Sequence, residues 1–326
     1  MAKSRFDEGD VRIRPPRSTR PRTKNRPDYS DATQAFVTTV DRGRITCITD
    51  DGTTVTAMKA RELGKNAIVS GDRISIVGDT SGREGTLARA VAVLPRRNSL
   101  ARTVDDAGAF EKIIASNIDQ MIIVAAAANP EPRHGFIDRC LVVAYDQKIT
   151  PVIVITKCDL ANPEEFLKPY RALDVVSIVT QRGADLEELR TILHGKVSVL
   201  IGHSGVGKST LFNALLGVEA RAVGKVNDAT GRGRHTSSSA YAVSLDDQSW
   251  VIDTPGVRSF GLEHVDQSRV VEAFADLSDV IAHCPKNCSH NEAECALHDF
   301  IDAHPERRLR VESLQRLLTA RVQPLP

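Results

Sequence analysis

Apolar and polar positions alternate in short bursts near the start of this chain. Ala35–Val40, Arg44–Ile48, Thr53–Met58 and Arg73–Val77 are rich in Val, Ile and Thr, and Asp50-Asp51-Gly52 and Ser70-Gly71-Asp72 supply turns between them. Short strands spaced in this way over residues 33–94 predict a small β-barrel, with the OB-fold one of several candidates. From about residue 113 the pattern changes. Gln120–Ala125 and Pro151–Ile155 are solid apolar runs, as expected of strands buried on both faces. Between them Phe136, Ile137, Cys140, Leu141, Val143 and Ala144 fall at helical spacing. Strand, helix, strand predicts a βαβ unit of parallel sheet. Asp185 and Glu188 read as a capping box opening a helix to Leu193. Val197–Ile201 is the next buried strand, and Ser209–Leu216 is a helix stopped by Gly217. Tyr241–Leu245 and Ser249–Ile252 read as a hairpin around Asp246-Asp247, so residues 113–260 predict one α/β layered domain. Beyond 266, Val270, Val271, Phe274 and Leu277 share a helical face, and a charged helix is expected from about Pro305 to Arg321.

The first 30 residues have no such periodicity. Basic residues from Lys3 to Arg26 outnumber acidic ones, Pro15, Pro16, Pro21 and Pro27 interrupt any element, and apolar residues are nearly absent. Such a segment cannot bury enough surface to fold, which predicts a disordered basic arm. Two readings of it stay open, a phosphate-binding arm for nucleic acid and a solubilising tail. Over all 326 residues the formal net charge is only +1, so bulk charge names no partner. With 41% hydrophobic and 26% charged residues the composition is that of a globular protein of two or three domains. The longest apolar run, Met121–Ala128, falls short of the roughly 18 residues of a membrane span. The N-terminus lacks the apolar core of a secretory signal. A cytoplasmic monomer is the expectation, and there clustered cysteines favour a metal over disulfides.

The chemistry concentrates in four places. Gly202-His203-Ser204-Gly205-Val206-Gly207-Lys208-Ser209, with Thr210 next, matches the phosphate-binding loop G-x-x-x-x-G-K-[ST] between a predicted strand and a predicted helix. Its glycines let backbone N–H groups approach phosphate oxygens and the helix dipole adds positive potential. Lys208 would reach the β- and γ-phosphates, and the Ser209 hydroxyl would ligate Mg²⁺. Asp253-Thr254-Pro255-Gly256 ends the hairpin strand; Asp253 suits the Mg²⁺ shell and Gly256 the γ-phosphate. Thr156-Lys157-Cys158-Asp159 looks like the guanine-specificity motif N-K-x-D, with Thr156 where Asn is usual. Asp159 would accept from guanine N1–H and its 2-amino group, and adenine, lacking those donors, would leave the carboxylate unpaired. Between the phosphate loop and Asp253 lies Gly231-Arg232-Gly233-Arg234-His235-Thr236, where a threonine completing the Mg²⁺ shell belongs; Thr236 is the candidate and Ser237 the runner-up. Val257 follows Gly256 where a water-orienting Gln would stand, so hydrolysis needs another group or a partner. His235 is the nearby candidate, against the alternative of an exposed or RNA-contacting histidine. The catalytic set is thus His235, Thr236 and Lys208, and the Mg²⁺ set Ser209, Thr236 and Asp253. The base motif precedes the phosphate loop, the reverse of the usual order, which predicts a circularly permuted domain. Finally, Cys284, Cys288, His290 and Cys295 offer three thiolates and one imidazole within twelve residues, a closed structural zinc set, with His283 and His298 as lesser competitors for the nitrogen. Cys47, Cys140 and Cys158 read as apolar fillers.

Together these features resemble the RsgA (YjeQ) family of small-ribosomal-subunit-dependent GTPases. The resemblance covers about residues 33–326 and rests on the permuted order of Thr156–Asp159, Gly202–Thr210 and Asp253–Gly256 and on the Cys/Cys/His/Cys group. Arg96–Leu100 and Asn117–Gln120 also look familiar for that family. It implies an N-terminal OB-type barrel (33–100), a central circularly permuted α/β GTPase domain (101–265) and a C-terminal helical zinc-binding domain (266–326), preceded by the arm at 1–32. It further implies GTP and GDP as ligands, Zn²⁺ and Mg²⁺ as cofactors, and the small ribosomal subunit and its rRNA as partners. The implied role lies late in that subunit's maturation, with hydrolysis stimulated by the subunit. Two rivals are a P-loop ATPase or kinase, opposed by Thr156–Asp159, and an RNA-binding scaffold with weak GTPase activity, opposed by an intact Lys208, Ser209 and Asp253.

Overall fold

The computed structural model of the chain describes residues 29, 31–64, 68–103, 111–222, 240–254 and 265–320. Residues 32–326 make up one unit, and the described Tyr29 and Asp31 belong to another. The expected basic arm thus lies almost wholly outside the described residues.

Alternation sorts the side chains of the first strands. In β1 (Thr33–Asp41), β2 (Arg44–Thr49), β3 (Thr54–Lys59), β4 (Arg73–Gly78) and β5 (Ala88–Val93), inward positions such as Ala35, Val37, Ile45, Cys47, Val55, Ala57, Ile74, Ile76 and Ala90 form one buried cluster. The strands run in the order β1-β2-β3-β5-β4, β3 and β5 are parallel, and β4 returns to pair with β1. The result is the expected five-stranded barrel. Strand β1 breaks the alternation, because its outward side is covered too: Phe36 and Thr38 are buried, and the Phe36 ring lies 4.9 Å from that of Trp250.

An antiparallel pair that the hydropathy pattern did not predict comes next, β6 (Ser99–Thr103) with β7 (Glu111–Ser116). The stretches flanking it hold the barrel to the rest of the chain. Asp72, fully buried, accepts a forked pair of hydrogen bonds from Arg96 at 2.6 and 2.8 Å and a third from Ser116 Oγ at 2.6 Å. Asn117 Nδ2 donates to the Gly71 carbonyl at 2.9 Å. Gly71 itself has φ +92°, and a Cβ there would fall 2.1 Å from the Ser116 oxygen, so no other residue fits.

The chain then winds as β8 (Gln120–Ala126), α1 (His134–Asp146), β9 (Thr150–Thr156), α2 (Glu164–Arg171), β10 (Val176–Val179), α3 (Glu187–Leu193), β11 (Val197–Ile201), α4 (Lys208–Ala222), β12 (Tyr241–Ser244) and β13 (Trp250–Asp253). β10-β9-β8-β11-β13 is a parallel sheet, and β12 lies antiparallel on β13. All of β8 is buried because both faces are covered. Met121, Ile123 and Ala125 join α1 and α2 on one face, while Ile122, Val124 and Ala126 join α3 and α4 on the other. The expected capping box is corrected: α3 starts at Glu187, and Asp185 Oδ1 accepts from the Glu187 N–H at 3.0 Å in a local turn, one residue outside a cap position. Gly217 breaks α4 as expected, with φ 64° and ψ 176°. Beyond β13, α5 (Gln267–Glu272), α6 (Ser278–Ile281), α7 (Ala296–Ala303) and α8 (Arg308–Ala320) follow. Val270, Phe274, Leu277, Val311, Leu314 and Leu317 belong to the same core as the α1 face of the sheet.

The barrel and the parallel sheet share hydrogen bonds. Strand β1 pairs with β12 at Thr39 and Tyr241, which makes one eleven-stranded sheet, and Ser70 Oγ lies 2.8 Å from the Ala240 carbonyl oxygen.

Candidate nucleotide site and metal centre

In a sheet wound this way, the crevice lies at the carboxyl ends of the strands where the helices change faces. Here that point is between β8, followed by α1, and β11, followed by α4. The three motifs stand at the carboxyl ends of β9, β11 and β13.

The phosphate loop leaves β11 at Gly202. A Cβ there would sit 2.7 Å from the Val124 oxygen, so the loop presses on β8 in a way only glycine permits. Gly205 and Gly207 have φ of 82° and 89°, which turns the intervening backbone inward at little steric cost. Lys208 opens α4, and its Nζ pairs with Asp253 at the end of β13; both side chains are 12% exposed. Ser209 and Thr210 are exposed in the first turn of the same helix. Asp253 also receives Tyr241 OH at 3.4 Å, and burial together with that carboxylate pushes the Tyr241 pKa up to about 12, which keeps the phenol a donor. Thr254 Oγ1 donates to the Leu200 carbonyl at 2.8 Å, tying the end of β13 to the strand before the phosphate loop. His203 packs its ring 4.0 Å from that of Phe136, and burial, then Arg133, lowers its pKa.

At the end of β9, the Thr156 hydroxyl lies 2.5 Å from the Val206 carbonyl oxygen and 3.3 Å from that of Ala125. It therefore ties the segment Thr156–Asp159 to the loop that follows β11. Gly207 makes this approach possible: a Cβ on it would be 3.3 Å from Thr156 Oγ1. Lys157, at φ 57°, donates its Nζ to the Asn129 carbonyl. Cys158 is held by its N–H to the Thr180 oxygen at 3.2 Å and its thiol to the Ile155 oxygen at 3.3 Å, and Asp159 is left exposed. Two flanking segments went unread in the sequence, the loop Asn129–Arg133 after β8 and Thr180 after β10. Neither carries a recognisable tetrapeptide, and only Pro130 and Pro132 mark the first as a loop. His235, Thr236, Ser237, Gly256 and Val257 lie outside the described residues.

The Cys/His group forms where the chain turns between α6 and α7. Asn287 and His290 take φ of 64° and 66°, which reverses the backbone on either side of Cys288. Cys284, Cys288, His290 and Cys295 offer ligand atoms that all lie within 4.8 Å of one another. Cys284 and Cys295 sulfurs are 3.6 Å apart and His290 Nδ1 is 3.9 Å from the Cys295 sulfur. Tetrahedral zinc with bonds near 2.3 Å places its thiolates roughly 3.8 Å apart, so the donor set and its spacing fit that ion. The competitors are engaged elsewhere: His283 Nδ1 meets the Asp279 oxygen at 2.7 Å, and His298 Nε2 faces Gln315 at 3.4 Å. Cys47 and Cys140 are buried as fillers, and Cys158 is half-buried.

The RsgA GTPase family model matches residues 93–263. The small ribosomal subunit biogenesis GTPase RsgA of Azotobacter vinelandii is 36% identical over 269 residues, covering 79% of this chain and 76% of that protein. Its namesake in Chlorobaculum tepidum is 33% identical over 297 residues, 87% of this chain and 93% of that one. Among solved structures, YjeQ from Thermotoga maritima superposes with a TM-score of 0.66 at 24% identity, covering 90% of this chain and 99% of that one. YloQ, a circularly permuted GTPase, gives 0.64 at 20%, covering 91% and 98%. The two structures share the fold, and with the family model spanning more than half of the sequence the chain belongs to the RsgA GTPase family.

Proposed function

We propose that this chain hydrolyses GTP as a factor in late maturation of the small ribosomal subunit, binding that subunit's rRNA and stimulated by the subunit. The observation that carries the reading is the meeting of Thr156–Asp159, Gly202–Thr210 and Asp253 at the carboxyl ends of strands of one sheet, where Thr156 bonds to Val206 and Lys208 pairs with Asp253. In this reading Asp159 selects guanine, Lys157 lies along the base and ribose, and the backbone of Gly202–Thr210 cradles the phosphates. Ser209, Asp253 and Thr236 would hold Mg²⁺, which supplies charge neutralisation at the phosphates. A bound Mg²⁺ nucleotide offers Lys208 and Asp253 new partners, phosphate for the lysine and the metal shell for the carboxylate. Gly256 would meet the γ-phosphate, and His235 would handle the water. Cys284, Cys288, His290 and Cys295 would hold a structural zinc ion, which cross-links the turn before α7. The implied domains are an OB-type barrel at 33–100, the permuted GTPase at 101–265 and the zinc-binding helices at 266–326, in a cytoplasmic monomer. No described helix is long and apolar enough to cross a membrane.

The test is phosphate release from GTP with and without purified small ribosomal subunits. Slow release alone and many-fold faster release with subunits is expected. Equal rates in the two arms would remove the subunit from the reading, and hydrolysis of ATP in preference to GTP would remove the guanine assignment.

A further inference from the structure

Helix α1 touches both the phosphate loop and the C-terminal helices. Its first turn carries Phe136 against His203, and the loop leading into it gives the Asn129 carbonyl to Lys157 and brings Pro130 Cδ to 3.7 Å from where a Cβ on Gly205 would stand. Two residues past Phe136, Asp138 is 2% exposed and accepts from Arg316 Nε of α8 at 2.7 Å. Burial raises the Asp138 pKa and Arg316 opposes that rise, so the arginine favours the charged carboxylate.

The same guanidinium lies 5.4 Å from the centre of the Tyr170 ring of α2. Tyr170 is fully buried, and its hydroxyl is 2.8 Å from Nδ1 of His134, the first residue of α1. His134 in turn stacks on Phe166 at 4.3 Å. Arg316 thus reaches the N-terminal half of α1 twice, directly at Asp138 and through Tyr170 at His134. Close-packed contacts of this kind transmit a displacement rather than absorb it.

We propose that Arg316 is a positioning residue for the nucleotide site: through Asp138 and Tyr170 it holds the first turn of α1 on the phosphate loop, so that bound nucleotide and the C-terminal helices bias each other. The coupling is reciprocal by thermodynamic necessity. Whatever Arg316 contributes to nucleotide affinity, nucleotide returns as stability of α8.

The experiment uses the full chain and pairs GDP affinity with hydrogen exchange along α8. Wild-type GDP affinity is measured first; failure to bind there would overturn the nucleotide site and the proposal with it. In the wild type, GDP with Mg²⁺ is expected to slow exchange of the α8 amides. Arg316→Met should weaken GDP binding roughly fivefold or more and abolish that protection. Because Arg316→Met leaves Asp138 buried without its partner, a double variant, Asp138→Leu with Arg316→Leu, replaces the pair by apolar contact and keeps the helices docked. The double variant should melt near the wild type and still lack the GDP-dependent protection. A merely structural pair would lower the melting temperature in the single variant yet leave GDP affinity and the α8 response intact in the double one. That result, or an α8 indifferent to GDP in the wild type, would overturn the proposal.

Discussion

At the scale of single residues, Thr156 joins the end of β9 to the loop that follows β11. A threonine has no amide, yet its hydroxyl sits 2.5 Å from the Val206 oxygen because Gly207 lets the two strand ends approach. Thr156→Val keeps the shape and removes the donor, leaving a buried carbonyl without its bond. GDP affinity should fall by about 1 kcal/mol, and Thr156→Ser should restore it; a titration of the three proteins with GDP checks this. Asp159 sits three positions on, exposed and free to face a base. Asp159→Asn sets an amide N–H against guanine N1–H, so the preference for GTP over ATP should shrink by roughly 1–3 kcal/mol. Unchanged affinities for both nucleotides would place the base elsewhere.

At the scale of elements, what could be read in the sequence follows from what buries each element. β8, β9 and β11 are covered on both faces, so their apolar runs stand out, and β2, β3 and β4 are covered on one, so they alternate. β10 is four residues at the edge of the sheet, with Val176 and Val179 exposed, and carries neither signature. The pair β6–β7 buries Leu100 and Ala115 and few others, too little for any periodicity. The site motifs were legible because their chemistry fixes residue type and spacing; Thr180 and Asn129 were not, because they contribute backbone atoms, which any residue has. Gly71 lies between: its turn was readable, but the need for glycine comes from Ser116, far along the chain. Gly71→Ala should therefore cost about 3 kcal/mol, read as a lower midpoint of denaturant unfolding. If Cys284, Cys288, His290 and Cys295 hold zinc as proposed, the turn before α7 depends on them in the same local way. One equivalent of zinc should co-purify, and Cys288→Ser or a chelator should release it and open residues 282–296 to protease; a metal-free protein with an equally resistant C-terminus would exclude the zinc assignment.

At the scale of the whole molecule, the described barrel and parallel sheet are joined by a strand pairing. β12 belongs at once to the hairpin that ends in Asp253 and, through Tyr241 and Thr39, to the barrel. Asp253 is paired with Lys208 and touched by Tyr241 OH. In the proposed site a Mg²⁺ nucleotide would draw Lys208 and Asp253 to different partners, and the strand that carries Asp253 is bonded through β12 to β1. The terminal phosphate is what distinguishes GTP from GDP at this end of the crevice, so nucleotide state should reach the barrel surface as well as the C-terminal helices. If the subunit binds those surfaces, it must favour GTP by the factor by which GTP favours the subunit, typically 1–3 kcal/mol, or roughly 5–150-fold. A non-hydrolysable GTP analogue should accordingly tighten association with small ribosomal subunits relative to GDP, measured by co-sedimentation. His235→Ala should keep that analogue-dependent binding and lose most of the subunit-stimulated phosphate release, since Val257 cannot orient water. Equal sedimentation in the GDP and analogue states would sink the switch, whereas normal stimulated release in the histidine variant would remove His235 alone and leave the coupling through β12 standing.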